Sequence, residues 1–196
     1  MKTGVFPKIK EKVIHILSTE LPAYFKYHSV EHTLYVLQAA ETIAANEGIS
    51  EENKFLLQVA VLYHDIGFIH TSENHEEEGC KIATKHLQLF GFSDDQISKV
   101  CGMIMATKLP QTPGSLIEEI IADADLEYLG TDRFSIISEK LFEEINLINN
   151  QISVQEWNEI QVKFLSNHHY FTSYCRQYKE PKKVLNMQNL KNNLME

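Results

Sequence analysis

Three short segments of this chain carry ionisable side chains that could bind a metal ion together. His32 closes the segment Tyr-His-Ser-Val-Glu-His, His64 and Asp65 follow the apolar run Val-Ala-Val-Leu-Tyr, and Asp123 follows Ile-Glu-Glu-Ile-Ile-Ala. An unpaired charge is costly to bury in such apolar surroundings, and a shared cation would remove that cost. Two imidazoles and two carboxylates suit a borderline divalent ion better than an ion that prefers thiolates.

The spacing of these residues sets conditions on the helices that carry them. His28 and His32 are one helical turn apart, so one imidazole can bind metal while the other faces a substrate. His64 and Asp65 are neighbours and diverge by roughly 100° on a regular helix. Both can reach one ion only if the helix ends beside it, which Gly67 would help to allow.

A second aspartate, Asp125, lies two residues after Asp123. Residues two apart point to different faces of a helix, so only one of these carboxylates can belong to the site. The other is then free to orient a histidine from outside the ligand set. The spacing alone leaves the choice open.

The order His, then His-Asp, then Asp resembles the HD-domain metal-dependent phosphohydrolases, and in particular their small stand-alone bacterial members. The resemblance is strong over about residues 25–135 and weaker through the segment Asn-His-His-Tyr-Phe-Thr at 167–172. It implies one divalent ion (Mn, Fe, Ni, Co, Zn or Mg). The implied ligands are His32, His64, Asp65 and Asp123.

The resemblance also implies roles around that ion. His28 would be the general acid for the leaving group, and Asp65 would be both ligand and catalytic residue. We expect substrate contacts from four further residues: His75, Glu76, Lys108 and Arg133. The alternative for His75 is a polar residue at a helix start without a role in binding, and the alternative for Lys108 and Arg133 is a solvated surface charge. Two-metal relatives carry a further histidine at the position of His75 and another late in the next helix. The corresponding residues of this chain, 103–108, contain no histidine, which favours a single ion.

These residues predict a metal-dependent hydrolase of a phosphate ester or phosphoanhydride that acts through activated water. We expect the substrate to be a small nucleotide or a related phosphorylated metabolite. The alternatives are a non-catalytic HD module that binds a nucleotide and, less favoured, a di-iron oxygenase of the same fold. A metal-supplemented screen with phosphate esters distinguishes the first two.

Composition limits the partners. The chain of 196 residues has a formal net charge of −9, which argues against general nucleic-acid binding because that depends on phosphate neutralisation. It contains no apolar stretch near the ~20 residues that span a bilayer and no signal-peptide pattern at its start. We therefore expect no membrane association and a cytoplasmic location.

Helix signals recur along the chain, and strand-like alternation is absent. Ser29 and Ser50 are predicted N-caps, and Ser-x-x-Gln at 93–96 and Ser-x-x-Glu at 153–156 are predicted capping boxes. A sixth helix is expected from Ser115 to about Leu129. The prediction is an all-α HD-type bundle over residues 1–196, with a metal-binding core at about 25–135 and a helical extension at about 136–196.

Overall fold

The computed structural model describes residues 4–148 and 151–194, and within these ranges it contains helices and no strand. The predicted all-α fold is confirmed. The α-helices are α1 Phe6–Glu20, α2 Val30–Glu47, α3 Glu51–Tyr63, α4 His75–Leu89, α5 Asp94–Ala106, α6 Leu116–Asp125, α7 Phe134–Ile148, α8 Val154–Asn167, α9 Ser173–Tyr178 and α10 Glu180–Asn193. Short 3₁₀ helices follow α3 at Ile66–Ile69 and α6 at Glu127–Gly130.

The predicted serine caps fix where four of these helices begin. Ser29 accepts a hydrogen bond from the backbone N–H of His32, and Ser50 caps α3 in the same way. Ser93 and Ser153 each form a complete capping box with the Gln or Glu three residues later. Because Ser29 starts α2, His32 falls in the first turn of that helix, at its end nearest the site.

The main core forms around α3, which packs on α1, α2 and α5. Residues 56–63 of α3 are buried except Gln58, as expected for a helix enclosed by others rather than lying on a surface. Ile9, Val13 and Leu17 of α1 belong to the same core, so this core begins well before residue 25. No helix among the described residues is long and apolar enough to cross a membrane.

The sixth helix is shorter than predicted, because it ends at Asp125 rather than near Leu129. The carbonyl groups after its end are bound by residues from the C-terminal part of the chain. The Tyr170 hydroxyl donates to the Leu126 carbonyl at 3.2 Å, and the Asn186 amide donates to the Leu129 carbonyl at 2.9 Å. Partners distant in sequence therefore stabilise an end of α6 that local propensity did not predict.

The C-terminal helices approach the 3₁₀ helix after α6 very closely. A Cβ atom added at Gly130 would lie 2.4 Å from the carbonyl oxygen of Lys179 at the start of α10. Only glycine fits there without displacing backbone. A second and smaller apolar cluster surrounds this 3₁₀ helix. It contains residues of the 3₁₀ helix itself and of α7 and α8, including Tyr128, Phe134 and Leu165.

Candidate metal centre

Three helices bring together a histidine pair and a carboxylate. His32 comes from the start of α2, His64 directly follows α3, and Asp125 ends α6. One ligand atom from each of the three lies within 4.8 Å of the others. His32 Nε2 is 3.3 Å from His64 Nε2 and 3.1 Å from Asp125 Oδ1, while His64 Nε2 is 3.5 Å from the same oxygen.

Asp65 completes this cluster from the other side. Its Oδ2 atom lies 3.1 Å from His64 Nε2 and 3.4 Å from His32 Nε2. This oxygen is buried and accepts no hydrogen bond from the residues that the structure describes. A buried carboxylate oxygen without a donor is costly, and a cation between these four side chains would satisfy it. The residues present therefore fit a divalent metal ion.

The backbone after α3 explains how two adjacent residues face one point. His64 still has helical dihedral angles, whereas Asp65, at φ −104° and ψ 1°, has left the helix. Gly67 then allows the start of α4 to approach, because an added Cβ would lie 1.9 Å from the His75 carbonyl oxygen. The sequence prediction that the helix ends beside the site is consistent with this geometry.

One tautomer of His64 is selected by its surroundings. Its Nδ1 lies 2.8 Å from the carbonyl oxygen of Val61, a contact that requires an N–H at Nδ1. The Nε2 lone pair is then directed to the cluster, as metal binding requires.

The electrostatics of the cluster favour positive charge. Burial lowers the pKa of His64, but the carboxylates of Asp65 and Asp125 outweigh burial and raise that pKa well above its usual value. Burial likewise raises the pKa of Asp125, yet its hydrogen bonds to His32 and His64 lower it to about 2. The carboxylates of Asp65 and Asp125 thus stay ionised and attract a cation.

Asp123, which the sequence analysis assigned as a ligand, faces away from this cluster. Its Oδ1 accepts from the Phe171 N–H at 2.9 Å, and its Oδ2 accepts from the N–H and hydroxyl of Thr172 at 2.8 and 2.6 Å. These bonds attach the segment before α9 to α6. Since the two aspartates lie on different faces of α6, we replace Asp123 by Asp125 in the candidate ligand set.

His28 lies beside the cluster and is held by a residue that the sequence analysis missed. The buried Glu144 of α7 accepts from the N–H groups of Tyr27 at 2.8 Å and His28 at 3.0 Å, and its other oxygen forms a short contact with His28 Nδ1. The signal was present in the sequence. Glu144 lies three residues after Leu141 and seven after Ile137, on the apolar stripe of α7, where a carboxylate is out of place.

Three of the four expected substrate contacts border the cluster. His75 Nε2 lies 3.7 Å from Asp65 Oδ1, and the buried Glu76 follows it at the start of α4. Lys108 bonds to Asn74 at 3.0 Å and pairs with Glu77. Phe68 stacks between the rings of His28 and His75, at centroid distances of 4.1 and 3.9 Å. These side chains lie around the same opening.

Arg133, the fourth expected contact, is directed elsewhere. Its guanidinium lies 3.5 Å from Glu31 and stacks 5.1 Å above the ring of Tyr35, on the outer side of α2. It does not line the cavity that opens onto Asp65 and Asp125. The structure therefore does not support a substrate contact by Arg133, because its partners on α2 hold it away from that cavity.

A cavity of about 470 Å³ opens onto the cluster. His28, Asp65, His75, Lys108 and Asp125 line one end, so two of the four candidate ligands and the expected proton donor face the same space. Its volume lies within the roughly 300–1,000 Å³ of typical small-molecule sites.

Comparisons with known proteins identify the family and the fold. The family model described as HD domain matches residues 29–127, just over half of the chain, and the chain therefore belongs to the HD domain family. The fold is similar to the crystal structure of a predicted HD superfamily hydrolase from an uncultured Thermotogales bacterium. The TM-score is 0.63 and the identity 22%, with 94% of this chain and 91% of that chain covered. No curated protein matches.

Proposed function

We propose that this protein is a metal-dependent hydrolase of a phosphate ester or phosphoanhydride. The observation that carries the proposal is the buried cluster of His32, His64, Asp65 and Asp125, in which the Asp65 Oδ2 atom lacks a hydrogen bond. A protein that only packs its core would place a donor there. Membership in the HD domain family supports the same conclusion.

The four side chains would hold a divalent cation through His32 Nε2, His64 Nε2 and the two carboxylates. When bound, such an ion supplies Lewis-acid catalysis, activating water and polarising a phosphoryl oxygen. The residues themselves fix where this occurs, because each comes from a rigid helix end. The ion would also provide the positive charge that a phosphate needs in a protein whose net charge is −9.

His28 would donate a proton to the leaving oxygen. Its Nδ1 is occupied by Glu144, which leaves Nε2 to exchange a proton with a molecule in the cavity. Burial lowers the pKa of His28, but the hydrogen bond to Glu144 and the charge of Asp65 outweigh burial, and the net shift is upward. A raised pKa favours the protonated imidazole, which is the form that a general acid requires.

The wall around His28 would orient the substrate. Phe68 stacks on both His28 and His75, whose rings are tilted by 52° to each other, and Lys108 lines the cavity beside them. Lys108 would exchange Glu77 for a phosphate oxygen when substrate enters.

Metal analysis combined with a phosphate-ester screen tests the proposal. The purified protein and the His32→Ala variant would be assayed for bound metal and for phosphate release from p-nitrophenyl phosphate and nucleotides with added Mn²⁺. We expect about one ion per chain and turnover in the parent protein, and neither in His32→Ala. His70→Ala is a matched control, because His70 is exposed and its ring pairs with Glu78 rather than with the cluster.

Two results would contradict the proposal. Tight nucleotide binding without turnover would indicate a binding module. Two irons per chain together with oxygen consumption would indicate the oxidative alternative.

A further inference from the structure

The cavity at the metal centre extends far beyond it, and its far end differs sharply in chemistry. Beyond the cluster it is lined from α7 and α8 by residues that include Leu141, Ile145, Trp157, Ile160 and Phe164. Among the described residues, none of the lining side chains from these two helices is charged. Apolar cavities of this kind bind apolar groups, because burial of those groups is their main source of affinity.

A row of aromatic rings connects the two ends of the cavity. Tyr27 packs on the ring of the candidate ligand His32, with centroids 4.5 Å apart. Tyr27 also contacts Tyr128 at 5.8 Å, and Tyr128 stacks on Phe134 at 6.4 Å. The three rings line the same cavity. A molecule whose phosphate lies at the cluster would therefore extend along an aromatic wall toward α7 and α8.

The polar groups in this apolar part bond to one another. The Ser138 hydroxyl donates to the Gln161 side-chain oxygen, and the Gln161 amide donates to Asn158 at 3.3 Å. The hydroxyls of Tyr27 and Tyr128 interact with each other. A nucleobase or sugar needs unengaged donors and acceptors along its edges, whereas a hydrocarbon group needs none.

We propose that the substrate is an amphipathic phosphate ester whose hydrocarbon group, an alkyl or isoprenyl chain, occupies this apolar part of the cavity. This inference rests on the proposed function for its phosphate end. It departs from the nucleotide expected from the sequence, because the part of the cavity lined by α7 and α8 offers mainly aromatic and aliphatic surface, and its Ser138 and Gln161 side chains bond to each other.

Chain-length dependence tests the proposal. Phosphate release with added Mn²⁺ would be measured for ethyl, butyl, hexyl and octyl phosphate, each below its critical micelle concentration. Nucleoside monophosphates would be measured under the same conditions. Full burial of a methylene is equivalent to up to about fourfold in affinity. We expect kcat/KM to rise about 10²-fold or more from ethyl to octyl phosphate, and nucleotides to rank below octyl phosphate.

A charge placed in the apolar part should remove this preference. Ile160 lines the cavity but is 49% exposed, so Ile160→Glu should fold. We expect the octyl-to-ethyl ratio of kcat/KM to fall at least tenfold. Val154→Glu is the matched control, since Val154 lies on the same helix, is exposed and does not line the cavity. An unchanged ratio in Ile160→Glu would overturn the proposal.

Binding without turnover separates this inference from the proposed function. Trp157 is the single tryptophan of the chain and lines the apolar part, so its fluorescence reports on occupancy. Octylphosphonate and ω-bromooctylphosphonate, neither of which can be hydrolysed, would be titrated into the Mn²⁺-loaded protein. We expect the bromoalkyl compound to quench Trp157 and ethylphosphonate to leave it unchanged.

The outcomes are distinct. Quenching without hydrolysis of any ester would overturn the proposed function and keep the apolar site. Hydrolysis that is independent of chain length, or that favours nucleotides, would overturn the apolar substrate and keep the hydrolase. Absence of quenching by the bromoalkyl compound would also overturn the apolar substrate.

Discussion

Two carboxylates on the last turn of α6, the buried Asp123 and the half-buried Asp125, differ in the groups that bind them. Asp123 accepts three hydrogen bonds from Phe171 and Thr172, all at 2.9 Å or less. Among the described residues, Asp125 pairs with the nitrogens of His32 and His64, at 3.1 and 3.5 Å, and shares both with Asp65. The protein supplies the hydrogen-bond donors that Asp123 needs, whereas Asp125 lies in a group that could hold a cation.

The region around Asp123 shows the same completeness in its other buried charges. Glu127 pairs with Lys179 and accepts from Tyr35, and Lys183 donates to the His168 carbonyl at 2.5 Å. Buried charges whose partners are all supplied by the protein stabilise one packing of the C-terminal helices on α6. The contrast teaches that burial of a charge is not by itself a sign of function, because at Asp123 the protein supplies the partners.

The largest expected effect comes from Asp125→Asn, which leaves side-chain volume nearly unchanged but removes a charge from the cluster. We expect metal content to fall below 0.1 ion per chain and hydrolysis to drop roughly 10⁴-fold, because the ion supplies several kcal/mol of transition-state stabilisation. Elemental analysis and kcat/KM measure both. Full metal retention in this variant would remove Asp125 from the ligand set.

His28→Ala should retain the metal and lose roughly 10²–10³-fold on alkyl phosphates, because a general acid contributes ~10²–10⁴-fold. The loss should be smaller with p-nitrophenyl phosphate, whose leaving group is already a stable anion. Glu144→Gln should lower the same alkyl-to-nitrophenyl ratio less strongly, since Glu144 acts by positioning His28. Equal losses on both esters would disprove the general-acid role.

Asp123→Asn should instead act on stability. Its amide would present donors to the N–H groups of Phe171 and Thr172, and we expect about 2–4 kcal/mol less free energy of unfolding in urea. The folded fraction of Asp123→Asn should still bind one metal ion. Its unfolding should also still respond to chelator, with about 2.7 kcal/mol of stabilisation at a metal concentration of 100 Kd. Loss of the chelator response in Asp123→Asn, but not in Asp125→Asn, would reverse our assignment.

The smallest effect concerns pH and His168. Burial and, secondarily, the nearby Lys183 lower the pKa of His168 to about 3. Folding therefore favours the neutral ring, so this contribution to stability is complete above pH ~6.5 and is lost progressively as pH falls from there toward 3.

We expect the drop in unfolding free energy between pH 7 and pH 5 to shrink by about 1–2 kcal/mol in His168→Gln. His169→Gln, at the exposed neighbouring position, should keep the parent profile. Parallel profiles for the parent protein and His168→Gln would show that His168 does not titrate over this range.

Much of the fold followed from local sequence. Ser29, Ser50, Ser93 and Ser153 cap helices where predicted, because a capping side chain acts on N–H groups two or three residues away. The end of α6 did not follow, since the carbonyls beyond Asp125 are satisfied by side chains more than 40 residues later. Glu144 was missed for a similar reason, as its partners lie 116 and 117 residues earlier.

The sequence by itself determined that Asp123 and Asp125 lie on different faces of one helix, because consecutive residues turn by roughly 100°. It also determined which residue types could bind a divalent ion. Only the tertiary structure decided which aspartate joins His32 and His64, because the choice depends on Thr172 and the backbone before α9. Those groups bind Asp123, whereas Asp125 lies beside the two histidines.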